Sequence, residues 1–250
     1  GLGALPAMKA LRETRLSKYN HAPGLVEPPI GHVLVVDQTR GDASIRFGGA
    51  VDGDFGRMLA AARADHPNAD IVIKTHPEAT SGAKRGYFGQ TDEDDRTQVI
   101  SSSANPWDLL EGAAAVYTVT SQMGMEGLIA ERSVRCFGMP FYAGWGLTVD
   151  QLVCSRRKQP RTLEQVFDAA YIQYARYVDP ILNERCEIER IISYMSDQLA
   201  LQANAEIAVS LSPLSWWKKR WIGDYLQAWC FAPSPNGKAI RWGRGEPDET

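Results

Sequence analysis

Four polar segments carry residue types that bind anions or attack carbon. The first is Asp37-Gln38-Thr39-Arg40-Gly41-Asp42-Ala43-Ser44. A carboxylate here suits attack on an anomeric carbon or proton abstraction, and Gly41 lets the backbone approach a ligand closely. The conformational alternative is that Asp42 and Ser44 cap the next turn. The second segment is Lys74-Thr75-His76-Pro77-Glu78. Two residues apart on an extended chain, Lys74 and His76 share a face and offer an anion two donors. A lone histidine serves as readily as a structural hydrogen-bonder. The third runs from Thr120 to Leu128 and contains Ser121, Gln122 and Glu126. Ser121, Gln122 and the free N–H groups of a helix's first turn make an anion site, and Glu126 can accept hydrogen bonds from ribose hydroxyls. A plain N-cap by Thr120 or Ser121 is the other reading. The fourth runs from Phe137 to Thr148, where Tyr142 and Trp145 stand among glycines. They wall a nucleotide or sugar, or they pack a loop. Together the loops point to a phosphorylated or nucleotide ligand.

The elements that must position these loops are legible as apolar runs. His32–Asp37, Asp70–Thr75, Gln98–Ser101, Ala115–Thr120 and Ser133–Gly138 read as five short strands. Phe55, Met58, Leu59 and Ala62 recur at helical spacing, ending at His66 before a proline. Pro106 opens a second helix and Met123–Ala130 forms a third. Strands alternating with helices predict βαβ units around a mostly parallel sheet, which binds ligands outside the carboxyl ends of its strands. Beyond Gly138 the expected elements are helices over Leu163–Tyr177 and Glu184–Leu201, a linker over 202–215, and an aromatic, basic run over Trp216–Phe231. The tail Pro233–Thr250 is rich in proline, glycine and charge.

Composition narrows the function classes. The 250 residues carry 27 Lys+Arg against 30 Asp+Glu, a net charge of −3, which argues against a nucleic-acid binder. No apolar run approaches the roughly 20 residues needed to span a bilayer. Cys136, Cys154, Cys186 and Cys230 are scattered without a CxxC pair, which predicts reduced thiols in a cytoplasmic protein and no structural zinc. Residues Gly1–Ala10 lack the charged start and apolar stretch of a secretory leader.

The segments VVDQTRGDAS, VIKTHPE, NPWDLL, YTVTSQMGMEGLIA and CFGMPFYAGWGLT, in this order and preceded by RLSKYN at 15–20, resemble the capsule polysaccharide synthesis and export family of the KpsC/LipB type. The resemblance covers about residues 11–200. It implies a retaining β-Kdo glycosyltransferase that uses CMP-Kdo to build a poly-Kdo linker on a lipid-linked acceptor, in a Gram-negative cell. It implies a GT-B fold, of which this chain would be the α/β, Rossmann-like nucleotide-binding half with C-terminal helices. By that match Asp42 is the expected catalytic carboxylate with Gln38 beside it, and Asp37 is the runner-up. Lys74 and His76 hold the CMP phosphate, together with Ser121 and Gln122. Glu126 takes the ribose, and Tyr142 lines the donor site. Donor and product are both β-linked, so two inversions through a covalent Asp intermediate are expected. Lys74 or His76 would relieve repulsion at the anionic ketose centre. No cofactor and no metal are expected, because CMP carries one phosphate.

The match also departs from the pattern. A family module has an amino-terminal half with a Glu-Asp-Gly segment that contacts the acceptor, and none is found here. The expected organisation is the end of that half over 1–30, a donor-binding domain over 31–150, C-terminal helices over 151–201, and a linker over 202–250. Ile240–Arg244 in that last stretch resembles the start of a second module. The chain alone is expected to bind CMP weakly and to transfer no Kdo. Trp216–Trp221 sets aromatic rings beside Lys218, Lys219 and Arg220, suited to peripheral contact with the inner face of the inner membrane or to docking on a module. Two other functions fit the same sequence: a different GT-B nucleotide-sugar enzyme, and a non-enzymatic export component.

Overall fold

The computed structural model describes residues 3–18, 20, 28–75, 85–101, 104–204, 209–210 and 238–239. His76, the run Trp216–Trp221 and residues 240–244 lie outside the described residues. The chain divides into two compact units, Gly1–Glu189 and Arg190–Thr250.

All five expected strands form in the first unit: β1 Val33–Val36, β2 Ile71–Lys74, β3 Thr97–Ile100, β4 Ala115–Thr118 and β5 Ser133–Cys136. A short sixth, β6 Val149–Asp150, pairs with β5. Every pairing is parallel and the strand order is β3-β2-β1-β4-β5-β6. In this order the crossovers leave β1 in one direction and β4 in the other, which opens a crevice at the carboxyl ends of β1 and β4.

Both faces of the sheet are covered, which is why its strands are continuous apolar runs. Val33, Val35, Ile71, Ile73, Ala115 and Tyr117 are buried with Phe55, Met58, Leu59 and Ala62 of helix α3 (Gly53–Asp65). Residues of opposite parity face α4 (Pro106–Glu111) and α5 (Met123–Ile129). There Gly127 approaches Val116, Val134 and Leu110 so closely that an added Cβ would lie 3.2–3.6 Å from their methyl groups. Asn105 caps α4 by accepting from the Trp107 N–H at 3.0 Å, and Pro106 sits in the first turn. Each fully buried Ile, Leu or Val contributes about 1.5–3 kcal/mol. Two further helices, α1 (Ala4–Glu13) and α2 (Ala43–Phe47), complete the amino-terminal part.

After β6 the structure departs from the first of the two expected helices, while the second forms, shifted by a few residues. Helix α6 covers only Leu163–Phe167 and continues as a π-helical turn over Asp168–Tyr174. Tyr177–Val178 and Arg185–Cys186 pair antiparallel, and α7 runs from Ile188 to Asn204. Inside the stretch read as a linker, Val209–Ser210 forms a strand that pairs in parallel with Lys238–Ala239.

Candidate functional site

The β1 loop separates its two carboxylates by burial. Asp37 is buried and accepts backbone N–H groups from Gln38 at 2.8 Å, Tyr87 at 3.0 Å and Phe88 at 3.5 Å. Desolvation raises its pKa above the ordinary carboxylate value, and those three donors with Arg40 oppose the rise. Asp37 thus holds the 85–88 segment against the end of β1. Arg40 reinforces that hold, its Nε donating to the Gly86 carbonyl at 2.9 Å and its guanidinium lying 4.3 Å from the Tyr87 ring centroid. Asp42 is exposed, and one of its oxygens caps α2 by accepting from the Ser44 N–H at 2.8 Å. It lines a cavity of about 410 Å³ together with Arg46, Asp52 and Tyr87. Capping uses one carboxylate oxygen, so the cap and a chemical role coexist at this residue.

Gln38 joins the two central loops. Its buried amide receives the Thr120 N–H at 2.8 Å and donates to Thr120 Oγ1 at 3.0 Å and to Ser44 Oγ at 3.2 Å. Ser44 Oγ and Thr120 Oγ1 are themselves 3.0 Å apart. A hydrogen-bonded chain therefore runs from Asp42 through Ser44 and Gln38 across the crevice to Thr120, the residue before Ser121. Two glycines let Thr120 lie there. A Cβ on Gly48 would fall 2.5 Å from the Thr120 methyl, and one on Gly138 would fall 2.6 Å from it.

Lys74 ends β2 beside Val36 of β1. It is buried, its Nζ donates to the Thr75 carbonyl at 2.9 Å, and desolvation lowers its pKa to about 8. In the β4–α5 turn, the Ser121 N–H donates to Thr118 Oγ1 at 3.1 Å, and Ser121 Oγ accepts from the Met123 N–H at 3.2 Å. The next N–H groups are engaged as well: Gly124 bonds the Ser121 carbonyl at 3.1 Å and Met125 the Gln122 carbonyl at 2.9 Å. The first turn is wound i to i+3, which occupies donors that the sequence reading left free. Gln122 Nε2 donates to the Tyr171 hydroxyl at 3.3 Å.

Glu126 is buried in α5. Ser17 Oγ donates to its Oε1 at 2.9 Å, and burial pushes its pKa up to about 7 against the opposing pull of Ser17 and Lys18. Ser17 belongs to a segment that is itself pinned to the domain. Trp107 Nε1 donates to the Leu16 carbonyl at 3.0 Å, and Arg15 pairs with Asp108 at 2.5 Å. Nothing in the RLSKYN segment by itself names Glu126 as its partner. The signal lies in Glu126: a carboxylate on a helix whose other positions are apolar needs a donor from elsewhere. Tyr142 is fully buried beneath the β4–α5 turn, and its hydroxyl donates to the Ser121 carbonyl. It reaches the crevice through that carbonyl. Among the described residues no group of three His, Cys, Asp or Glu side chains is placed to hold a metal ion. No helix among them is long and apolar enough to cross a membrane.

The chain is similar to proteins of known family and fold. A family model described as capsule polysaccharide biosynthesis protein matches residues 7–178. The capsule polysaccharide modification protein LipA of Neisseria meningitidis serogroup A is 40% identical over 206 residues, covering 77% of this chain and 29% of LipA. The lipopolysaccharide-processing protein LpsZ of Rhizobium meliloti is 36% identical over 194 residues, covering 76% of this chain and 43% of LpsZ. Among solved structures, the beta Kdo 2,4 transferase of Thermosulfurimonas dismutans KpsC superposes with a TM-score of 0.73 at 43% identity, covering 77% of this chain and 61% of that one. The beta Kdo 2,7 transferase of the same protein gives 0.62 at 27% identity, covering 78% of this chain and 60% of that one. The chain thus spans less than a third of LipA and under two thirds of either transferase structure.

Proposed function

The chain belongs to the capsule polysaccharide biosynthesis protein family, and from that premise we propose that it is the donor-binding half of a retaining glycosyltransferase that moves Kdo from CMP-Kdo to a lipid-linked acceptor. The observation that carries this reading is the clasp between Gln38 and Thr120. It ties the β1 loop that bears Asp42 to the β4–α5 turn that bears Ser121, at the crevice where parallel sheets of this order bind nucleotides.

Support for the individual roles comes from the resemblance of the five segments to the family and from the chemistry of the residue types. Lys74, His76, Ser121 and Gln122 receive the CMP phosphate, Lys74 supplying a buried cation. Glu126 serves the ribose, and Tyr142 shapes the site by holding the Ser121 carbonyl. Asp42 attacks the anomeric carbon, a bond forms between its carboxylate oxygen and that carbon, and the bond to phosphate breaks with CMP as leaving group. An acceptor hydroxyl then displaces Asp42, and its proton passes to a base outside this half. Two inversions retain the configuration. Gln38 keeps Asp42 in register with the donor through Ser44. The basic aromatic run Trp216–Trp221 serves as a peripheral contact with anionic lipid where the acceptor resides.

The test is the complete protein carrying Asp42→Ala, assayed for Kdo transfer from CMP-Kdo alongside its thermal melt. Loss of product with an unchanged melt supports the role of Asp42. Retained product removes Asp42 from the chemistry.

A further inference from the structure

The connection from β6 to α6 is built of cations. Arg156, Arg157, Lys158 and Arg161 fall within it, and no acid stands between Gln151 and Leu163. The chain as a whole carries a net charge of −3, so this loop opposes the charge of the rest. Arg156, Lys158 and Arg161 are exposed, and no ion pair joins them to a described carboxylate. The acids on either side are engaged elsewhere. Asp150 accepts the Gly144 N–H at 2.7 Å and the Thr148 hydroxyl at 2.6 Å, Thr162 hydrogen-bonds Glu164, and the Gln173 amide donates to Asp168.

The loop is fixed, so its charges keep one arrangement. Arg157 turns inward. Its Nη1 donates to the Pro140 and Ala143 carbonyls at 2.5 and 2.6 Å, and its guanidinium lies 5.3 Å from the Trp145 ring centroid. The Arg157 N–H bonds the Cys154 carbonyl at 3.0 Å, and the Arg161 N–H bonds the Trp145 carbonyl at 2.9 Å. One arginine thus anchors the loop and leaves the other three cations exposed.

Apolar side chains accompany those cations. Val153, on the same loop, is 97% exposed. Arg161 lines a cavity of about 1150 Å³ together with Phe141 and Tyr174, and Tyr174 is 86% exposed. Beneath it Tyr171 stacks on buried Phe167 at 4.6 Å, which gives this wall a firm base. A soluble polyanion is served by the cations alone. A bare valine and an exposed ring beside them suit a boundary that is charged at its surface and apolar just below it.

We propose that the 151–161 loop, with Tyr174 next to Arg161, docks on a lipid bilayer that carries anionic headgroups, an inference independent of the donor-site reading. Arg156, Lys158 and Arg161 meet lipid phosphates, their aliphatic stems lie along the interface, and Val153 enters it. The loop needs nothing from Trp216–Trp221 for this contact.

The experiment is co-sedimentation of the 250-residue chain with vesicles of phosphatidylcholine alone and of phosphatidylcholine mixed with phosphatidylglycerol, at low and high salt. Every form carries Lys218→Gln, Lys219→Gln and Arg220→Gln, so that the aromatic basic run cannot mask the result. The mixed vesicles should bind the chain, phosphatidylcholine alone should not, and salt should weaken the binding. Arg156→Gln, Lys158→Gln and Arg161→Gln together should lower partitioning by at least about tenfold, and Val153→Ser by about threefold. Thermal melts and a CMP titration accompany each form, and CMP affinity should stay within about twofold. Absence of binding to the mixed vesicles, or equal binding by the triple loop variant, overturns the proposal. Unchanged binding by Val153→Ser overturns it as well, because the loop would then serve a soluble polyanion. A fall in CMP affinity in the loop variants does the same by assigning the loop to the crevice. A chain that binds the mixed vesicles through this loop but does not bind CMP defeats the donor-site reading and leaves the docking surface standing.

Discussion

Ser17 Oγ donates to Glu126 Oε1 at 2.9 Å in buried surroundings, across 109 residues of chain. The bond fastens the 15–18 segment to α5 one turn below the proposed phosphate loop. It also makes α5 sensitive to pH. The Glu126 pKa rises to about 7 in the fold from an ordinary 4.5, so the folded chain binds the proton more tightly than the unfolded one. Its contribution is therefore fully present below pH 4.5 and is lost as pH rises through about 7, a change of about 3 kcal/mol. Glu126→Gln keeps an acceptor for Ser17 and removes the titration. Thermal melts from pH 5 to pH 8 should show the variant gaining on the parent as pH rises. Parallel pH profiles would exclude a raised Glu126 pKa.

Lys74 gives the second prediction. Its pKa is lowered to about 8, so the cation is present at pH 7 and discharged at pH 9. CMP affinity should fall about tenfold over that interval, the worth of one charge-assisted hydrogen bond. The charge of the CMP phosphate does not change over the same interval. Lys74→Met should bind weakly and without this pH dependence, measured by calorimetry in matched buffers. A flat profile for the parent chain would take Lys74 out of phosphate binding.

The clasp across the crevice is a matter of stability as well as position. Gln38→Ala strands the Thr120 backbone N–H in the interior, which costs about 1–3 kcal/mol. Denaturant unfolding should show that loss with an unchanged m-value. Gln38→Glu leaves an acceptor for the Thr120 N–H but gives up donation to Ser44 and places a charge in a buried site, so it should be no milder. A neutral effect of Gln38→Ala would mean that the clasp does not form in solution.

The strands were legible because five short runs, four of them rich in Val or Ile, have the length and punctuation of buried β-structure, and all five formed within a residue or two of expectation. Their spatial order was not legible, since nothing in Val33–Val36 says that its neighbours are Ile71–Lys74 and Ala115–Thr118. Within the site, spacing could not separate Asp37 from Asp42. Burial does, because Asp37 meets N–H groups from residues fifty positions away. The helix over Leu163–Tyr177 was overextended. Leu163, Val166, Phe167 and Ala170 keep an apolar stripe while the backbone shifts into a π turn, a change of hydrogen bonding that side-chain types do not record.

Gly124 supplies a packing prediction. A Cβ there would run into the Tyr142 hydroxyl and ring, both fixed beneath the β4–α5 turn. Gly124→Ala should destabilise by about 1–3 kcal/mol through overpacking. Adding Tyr142→Phe removes the nearest atom, so the pair should be less harmful than the sum of the single changes. Additive losses in a double-mutant cycle would show that Tyr142 does not press on α5.

The donor site itself is tested most directly by calorimetric titration of the chain with CMP and with UDP, in the parent and in Ser121→Asp. Aspartate caps a helix as well as serine does, so the fold survives, while its charge repels a phosphate bound at that turn. The account predicts binding of CMP in preference to UDP, and its loss in Ser121→Asp without a fall in melting temperature. Equal binding of the two nucleotides, or CMP affinity untouched by the aspartate, would contradict it.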